Sequence, residues 1–375
     1  MTLSQPAPSA VPALPPTLPA GIDTPALVVF VDRVWANIQR LQADMDQRGI
    51  ALRPHVKTHK SVRIARMQVD AGASGLTVGT LGEAEVMASA GLRDLFLAYP
   101  VWAEGAKASR IRAVHDSADL RVGIESVAGA ERLAAAVRGS RRPMRVLIEI
   151  DSGLHRTGVA TPDEAVNVAR AAQAGGLVLE GVFTHGGHAY RPGAAGAVAL
   201  DEVTALERAA DALIAAGFEI AVLSAGSTPT RTLAATGRVT EMRAGTYALG
   251  DRQQVALGAM APDEPAAIVA STVVSARPGR AVLDAGAKAL TKDMAAFVEG
   301  YGAIPAWPGA IIEKLNDYHG MVALAAGGPR PTIGDVVAVV PNHICPVVDL
   351  VSSFVAVGSD GRTDHWAVDA RGRSG

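Results

Sequence analysis

Eight short apolar runs, alternating with Ala-rich amphipathic stretches over the first 260 or so residues, constrain this chain more than any other feature. The runs lie at 52–55, 75–78, 95–98, 120–124, 146–150, 179–183, 220–223 and 241–243. Between them, 62–71, 81–90, 127–137, 162–174 and 200–216 carry apolar residues at helical spacing. Gly72, Gly91 and Gly217 stand where helix C-termini favour a left-handed residue. Strands that alternate with helices pair in parallel, so eight such units predict an α/β fold built on a (β/α)8 TIM barrel. A doubly wound open sheet is the rival, and it is disfavoured because no G-x-G-x-x-G turn follows the first strand.

The pattern changes after about residue 262. Runs at 268–276, 280–284, 336–341 and 354–357 read as strands joined by Gly/Pro turns. This predicts a barrel over 22–262 and a smaller, mainly β C-terminal domain over 263–375, with 26–31 a candidate to pair with the latter. Residues 1–21, rich in Pro and Ala, read as a flexible arm without the positive start of a signal peptide. A net charge of -2 implies no polybasic surface for nucleic acid or anionic membrane. No apolar run approaches the roughly 20 residues that span a bilayer. Cys345 is the one cysteine, which excludes an intramolecular disulfide and suits a cytoplasmic setting.

The densest chemistry is the octapeptide Arg53-Pro-His55-Val-Lys57-Thr-His59-Lys60 at the end of the first strand. A lysine held near other cations loses proton affinity and can serve as nucleophile and base near neutral pH. Spacing alone leaves both Lys57 and Lys60 open, and His55 and His59 read equally well as helpers or as packing. In a (β/α)8 barrel a phosphate commonly binds on the loops after strands seven and eight. Those loops contain Gly226-Ser227-Thr228 and Gly245-Thr246, whose small residues, hydroxyls and backbone N–H groups suit a phosphate dianion. Asp151 and Arg156 stand just beyond the fifth strand, with an exposed ion pair as the plain reading. Thr184-His185-Gly-Gly-His188-Ala-Tyr190 follows the sixth. Near the C-terminus, His343-Ile-Cys345 offers an imidazole and a thiolate to one divalent ion, the soft sulfur favouring zinc.

These motifs resemble those of the metal-dependent D-threonine aldolase and D-serine dehydratase family, which comprises alanine-racemase-like, fold type III pyridoxal-phosphate enzymes. The resemblance covers nearly the whole chain and extends to Asp284-Ala-Gly286-x-Lys288 and the His319-Gly320 pair. It implies that Lys57 attaches pyridoxal 5'-phosphate and that Arg156 lies near the cofactor's phenolate oxygen. It also implies that His185 or Tyr190 packs on the ring or near the substrate, and that Arg243 faces the pyridine nitrogen as in alanine racemases. Lys57 and His185 are thus the catalytic candidates. His343 and Cys345 are the expected metal ligands; the family uses cysteine in D-serine dehydratases and aspartate, often with manganese, in some D-threonine aldolases. The implied activity is a lyase acting on a small D-β-hydroxy amino acid. D-threonine aldolase leads, because 75–85 and 99–102 look like bacterial low-specificity D-threonine aldolases. D-serine dehydratase and D-3-hydroxyaspartate lyase are the alternatives; an amino-acid racemase or a non-catalytic pyridoxal-phosphate carrier follows behind. The family further implies a homodimer, with the site between one subunit's barrel and the other's β domain.

Overall fold

The computed structural model describes residues 17–375, so most of the expected arm, residues 1–16, lies outside the described residues. The described chain forms two units, one of residues 39–245 and 372–375 and one of residues 17–38 and 246–371. In chain order the strands are β1 (Ala26–Phe30), β2 (Ala51–Leu52), β3 (Leu76–Val78), β4 (Asp94–Pro100), β5 (Asp119–Ile124), β6 (Arg145–Glu149), β7 (Val178–Phe183), β8 (Val222–Ala225) and β9 (Glu241–Met242), then β10 (Ala267–Arg277), β11 (Arg280–Leu283), β12 (Ile311–Leu315), β13 (Gly320–Ala323), β14 (Val336–Val339), β15 (Ser353–Val357) and β16 (Thr363–Ala367).

In the first unit, β2 to β9 make a parallel sheet in the order β2-β9-β8-β7-β6-β5-β4-β3. Its two ends meet where Thr77 N–H donates to Pro54 O at 2.8 Å and Ser74 N–H to Leu52 O at 2.9 Å, so the sheet curls into a (β/α)8 barrel. The intervening helices carry their start signals in the sequence. Thr161 and Glu164 form a capping box with Pro162 at the first turn, and Thr80 and Ser126 cap the helices that follow them.

Side chains two apart on a strand share a face, which layers the barrel interior. Nearest the strand N-termini is an ionic layer. Arg53 donates to Glu241 and Asp94 at 2.7 Å each, and Arg121 lies 3.5 Å from both Glu241 and Glu180. Next comes an apolar layer of Phe96, Leu147 and Phe183, in which the two phenyl rings meet edge-on at 5.0 Å. A step of two residues brings Arg53 to His55 and Glu241 to Arg243 from the ionic layer, and Leu147 to Glu149 and Phe183 to His185 from the apolar layer. The period of the strand therefore collects the titratable groups at the C-terminal mouth.

The second unit is a mainly β fold with strand order β12-β13-β11-β10-β1-β15-β16, and β14 also pairs with β10. β1 runs antiparallel to β10 and parallel to β15, registering Val28 with Ile268 and Val355. Its core packs Val28, Phe30, Ile268, Ala270, Ala338, Val340 and Val357. Among the described residues, no helix is long and apolar enough to cross a membrane.

Candidate active site

Lys57 sits on a single 3₁₀ turn, Val56–Thr58, at the end of β2. His55 caps that turn, its Nδ1 accepting the Lys57 N–H at 3.3 Å. Lys57 is exposed, whereas Lys60 is buried in a left-handed backbone conformation with φ 50° and its ammonium 3.3 Å from Glu83. Glu83 also accepts the Gly79 N–H at 2.7 Å, so Lys60 is part of a buried brace. His59 is likewise structural. Its Nδ1 accepts the Ser61 N–H at 3.1 Å, which places the proton on Nε2, 3.2 Å from Gln68 Oε1. Burial pushes His59 down to about 4. His55 is held well below the ordinary imidazole range by burial, then by the charges of Lys57 and Arg243. It is a neutral imidazole among cations.

His185, half-buried after β7, is also held well below its ordinary value, first by burial and then by Lys57, Arg156 and Arg243. Lys57, His55, His185, Arg156 and Arg243 thus share one electrostatic environment at the barrel mouth. His188 turns away toward Asp201, 3.4 Å from its Nε2. Tyr190, half-buried, ends the 3₁₀ turn Gly187–Ala189.

The loop after β6 differs from the plain reading of an Asp151–Arg156 pair. Asp151 accepts the N–H groups of Gly153 and His155 at 2.9 and 3.0 Å and holds the His155 ring at 2.7 Å, fixing the turn. Arg156 pairs instead with Glu149, at 3.7 Å. Glu149 is 3% exposed; Oε1 accepts the Thr157 hydroxyl at 2.9 Å and Oε2 has no hydrogen-bond partner among the described residues. Burial raises its pKa. A carboxyl closing the apolar run Val146–Ile148 was the one signal for it in the sequence.

Gly226, Ser227 and Thr228 form a buried turn after β8. Gly226 has φ 106°, and an added Cβ would lie 2.0 Å from Met242 Sδ. Ser227 N–H is held by Thr230 Oγ1 at 3.0 Å, while the buried Thr228 Oγ1 has no hydrogen-bond partner among the described residues. After β9, Gly245 approaches the lysine turn so closely that a Cβ would stand 3.1 Å from Thr58 Oγ1 and 3.2 Å from His55 Cβ. An unpartnered buried hydroxyl and bare backbone beside the lysine fit a phosphate-bearing cofactor. The His185 loop and the Gly226 turn both depend on Glu202, which the sequence reading missed. This fully buried helix residue accepts the N–H groups of Gly186 and Gly226 on one oxygen, each at 2.9 Å, and so ties the His185 loop to the Gly226 turn. Arg243 is buried beneath them. Its Nε donates to Ser224 Oγ at 2.8 Å, a terminal nitrogen reaches Thr184 O, and the guanidinium lies over the Phe183 and Phe96 rings at 5.2 and 5.8 Å.

In the second unit His343 and Cys345 flank the start of the helix Ile344–Leu350. Asp251 Oδ2 accepts the Ile344 N–H at 3.1 Å, and the Asn342 side chain donates to Gly300 O at 2.8 Å. His343 hydrogen-bonds Cys345. Burial opposes the imidazolium, but that bond, the Cys345 charge and the carboxylates of Asp251 and Asp293 raise His343 to about 10. Imidazole and thiol are thus within reach of one ion, a donor set that suits a divalent metal with open positions. Thr246 Oγ1 lies 4.0 Å from the Cys345 sulfur. Among the described residues, no group of three or more His, Cys, Asp and Glu is placed to hold a metal.

Residues 29–253 match the alanine racemase N-terminal domain, and residues 266–357 match a serine dehydratase domain. The chain is 37% identical to the D-threo-3-hydroxyaspartate dehydratase of Delftia sp. (strain HT23) over 92% of its own length and 97% of the relative's. The solved structure of that enzyme superposes with a TM-score of 0.86 at 36% identity, covering 92% of this chain and 97% of the other. A D-threonine aldolase of Arthrobacter sp is 31% identical over 96% of this chain and 97% of its own. A metal-free cysteine-to-alanine variant of a D-threo-3-hydroxyaspartate dehydratase has a TM-score of 0.85 at 36% identity, covering 92% of this chain and 97% of its own. The chain therefore belongs to the alanine-racemase-like, fold type III pyridoxal-phosphate enzymes, in the group that joins an alanine racemase N-terminal domain to a serine dehydratase domain.

Proposed function

We propose that the protein is a lyase of D-β-hydroxy amino acids that uses pyridoxal 5'-phosphate and a divalent metal, zinc or manganese. The observation that carries the reading is the barrel mouth: an exposed Lys57 among neutral His55 and His185 and cationic Arg156 and Arg243. Lys57 attaches the cofactor. Gly226, Ser227, Thr228 and the Gly245–Thr246 turn bind its phosphate, the unpartnered Thr228 hydroxyl supplying one bond. With the cofactor bound, Arg156, braced by Glu149, would stand by the phenolate oxygen, Arg243 by the pyridine nitrogen, and Tyr190 by the ring. When bound, pyridoxal phosphate supplies a sink for the electron pair left at Cα. His343 and Cys345 hold the metal, a Lewis acid for the β-hydroxyl when bound. The metal-free cysteine-to-alanine structure of the relative supports a cysteine ligand at such a site.

Two outcomes use these parts. In the first, His185, as a neutral imidazole, takes the β-hydroxyl proton, the Cα–Cβ bond breaks to release an aldehyde, and return of a proton to Cα completes glycine; this is the D-threonine aldolase reading of the sequence motifs. In the second, Lys57 takes the α-proton and the hydroxyl leaves as water, giving a 2-oxo acid and ammonia after hydrolysis. Cys345 and the 37% identity to a dehydratase, against 31% to an aldolase, favour this second reading. A panel of D-threonine, D-serine and D-3-hydroxyaspartate, assayed for aldehyde plus glycine against 2-oxo acid plus ammonia, separates the two. Absence of both product sets across the panel, with the L-isomers cleaved instead, would refute the proposal. The reading includes a homodimer, which light scattering at assay concentration tests.

A further inference from the structure

Asp293 stands on the segment after the short helix Ala287–Leu290, 50 residues before His343 in sequence. Its Oδ2 lies 2.5 Å from His343 Nδ1. The segment is held in place independently of the two side chains: Asn342 Nδ2 donates to Asp293 O at 3.3 Å and to Gly300 O at 2.8 Å. Arg252 in turn reaches Asn342 Oδ1 at 3.2 Å. An ionised carboxylate only accepts, so the ring proton shared with it sits on Nδ1. That leaves Nε2 as the ring nitrogen with a lone pair for a metal ion.

We infer that Asp293 is the positioning carboxylate of the metal site. It fixes the ring orientation and tautomer of His343 so that Nε2 and the Cys345 sulfur present their lone pairs to one divalent ion. The inference rests on the metal assignment proposed above and adds to it a residue, a ring nitrogen and a proton position. Metal-ligating histidines commonly donate their other N–H to a carboxylate, which aims the ring and makes the ligand more basic; losing that partner costs about 10- to 100-fold in metal affinity. Asn can still accept the Nδ1 hydrogen through Oδ1, whereas Ala cannot.

The test is a Zn²⁺ competition titration against a chromophoric chelator, on the full chain with pyridoxal phosphate bound. The variants are Asp293→Ala, Asp293→Asn, His343→Ala and Cys345→Ala, with thermal unfolding of the metal-free proteins alongside. Asp293→Ala should bind Zn²⁺ about 10- to 100-fold more weakly, Asp293→Asn should stay within a few-fold of the parent, and the metal-free midpoints should agree. In Zn²⁺-loaded, histidine-labelled protein, long-range ¹H–¹⁵N correlation should show the His343 proton on Nδ1. Unchanged affinity in Asp293→Ala while His343→Ala loses binding would overturn this inference alone. Equal losses in the Ala and Asn variants, or a proton on Nε2, would overturn it too, because the charge or a direct bond would then be what matters. Unchanged affinity in His343→Ala and Cys345→Ala would refute the metal assignment itself and this inference with it.

Discussion

Replacing Glu202 separates the scaffold of the site from its chemistry. One carboxylate oxygen accepts two buried backbone N–H groups, from Gly186 and Gly226, each at 2.9 Å. A hydrogen bond to a charged group contributes about 1.5–3 kcal/mol, and a buried donor left unpaired costs about 1–3 kcal/mol. Glu202→Ala strands both donors. After crediting the relief of a desolvated carboxyl, it should cost about 3–5 kcal/mol. Glu202→Gln keeps one acceptor oxygen of the same reach and should cost under about 1.5 kcal/mol. The assay is urea unfolding of the cofactor-free proteins, paired with the dissociation constant for pyridoxal phosphate from its absorbance. The Ala variant should bind the cofactor at least about tenfold more weakly, since the Gly226 turn loses its anchor, and the Gln variant should bind within a few-fold of the parent. An Ala variant within about 1 kcal/mol of the parent, with unchanged cofactor affinity, would refute the reasoning.

Three further outcomes follow from the same geometry. Thr228→Ala removes a buried hydroxyl that has no partner among the described residues, so the cofactor-free protein should be no less stable, while pyridoxal-phosphate affinity should fall about tenfold for one lost bond to an anion; a large stability loss would show that the hydroxyl is engaged in the fold. His59, pushed down by burial to about 4 against an ordinary 6.5, is needed neutral in the fold. Its contribution is fully present above about pH 6.5 and is lost as pH falls toward 4, a total of about 3 kcal/mol; His59→Gln should flatten the pH dependence of unfolding across that window by about one proton. A chelator should abolish turnover while the protein stays yellow, added Zn²⁺ or Mn²⁺ should restore it, and Cys345→Ala should lose most activity; undiminished turnover by protein shown to be metal-free would contradict the metal's role.

The barrel was legible because its strands are buried on both faces, so that Val146–Ile148 or Leu95–Leu97 reads as a continuous apolar run. The same logic hides β16, where Thr363-Asp-His-Trp-Ala367 sits mostly exposed at a sheet edge and shows no apolar alternation. It also hides β12, whose Glu313 and Lys314 interrupt the pattern at a register shift. Lys57 and the Gly226 and Gly245 turns are visible as local motifs. Glu202, Glu149 and Asp293 are not, because each acts through partners that folding supplies. Glu202 reads as an ordinary helix carboxylate until it meets Gly186 and Gly226, and Asp293 lies 50 residues from the ring it holds. Spacing leaves Lys57 and Lys60 alike; the fold adds that Lys60 is buried with its amine 3.3 Å from Glu83, a contact no local motif announces.

The proposed lyase chemistry turns on Lys57 at the barrel mouth. Borohydride reduction of the yellow protein, followed by proteolysis and mass spectrometry, reads that directly. The account predicts a single pyridoxyl adduct on the peptide carrying Lys57, and none from Lys57→Ala protein that still folds. An adduct on Lys60 or on any lysine of the second unit, with Lys57 unmodified, would contradict it.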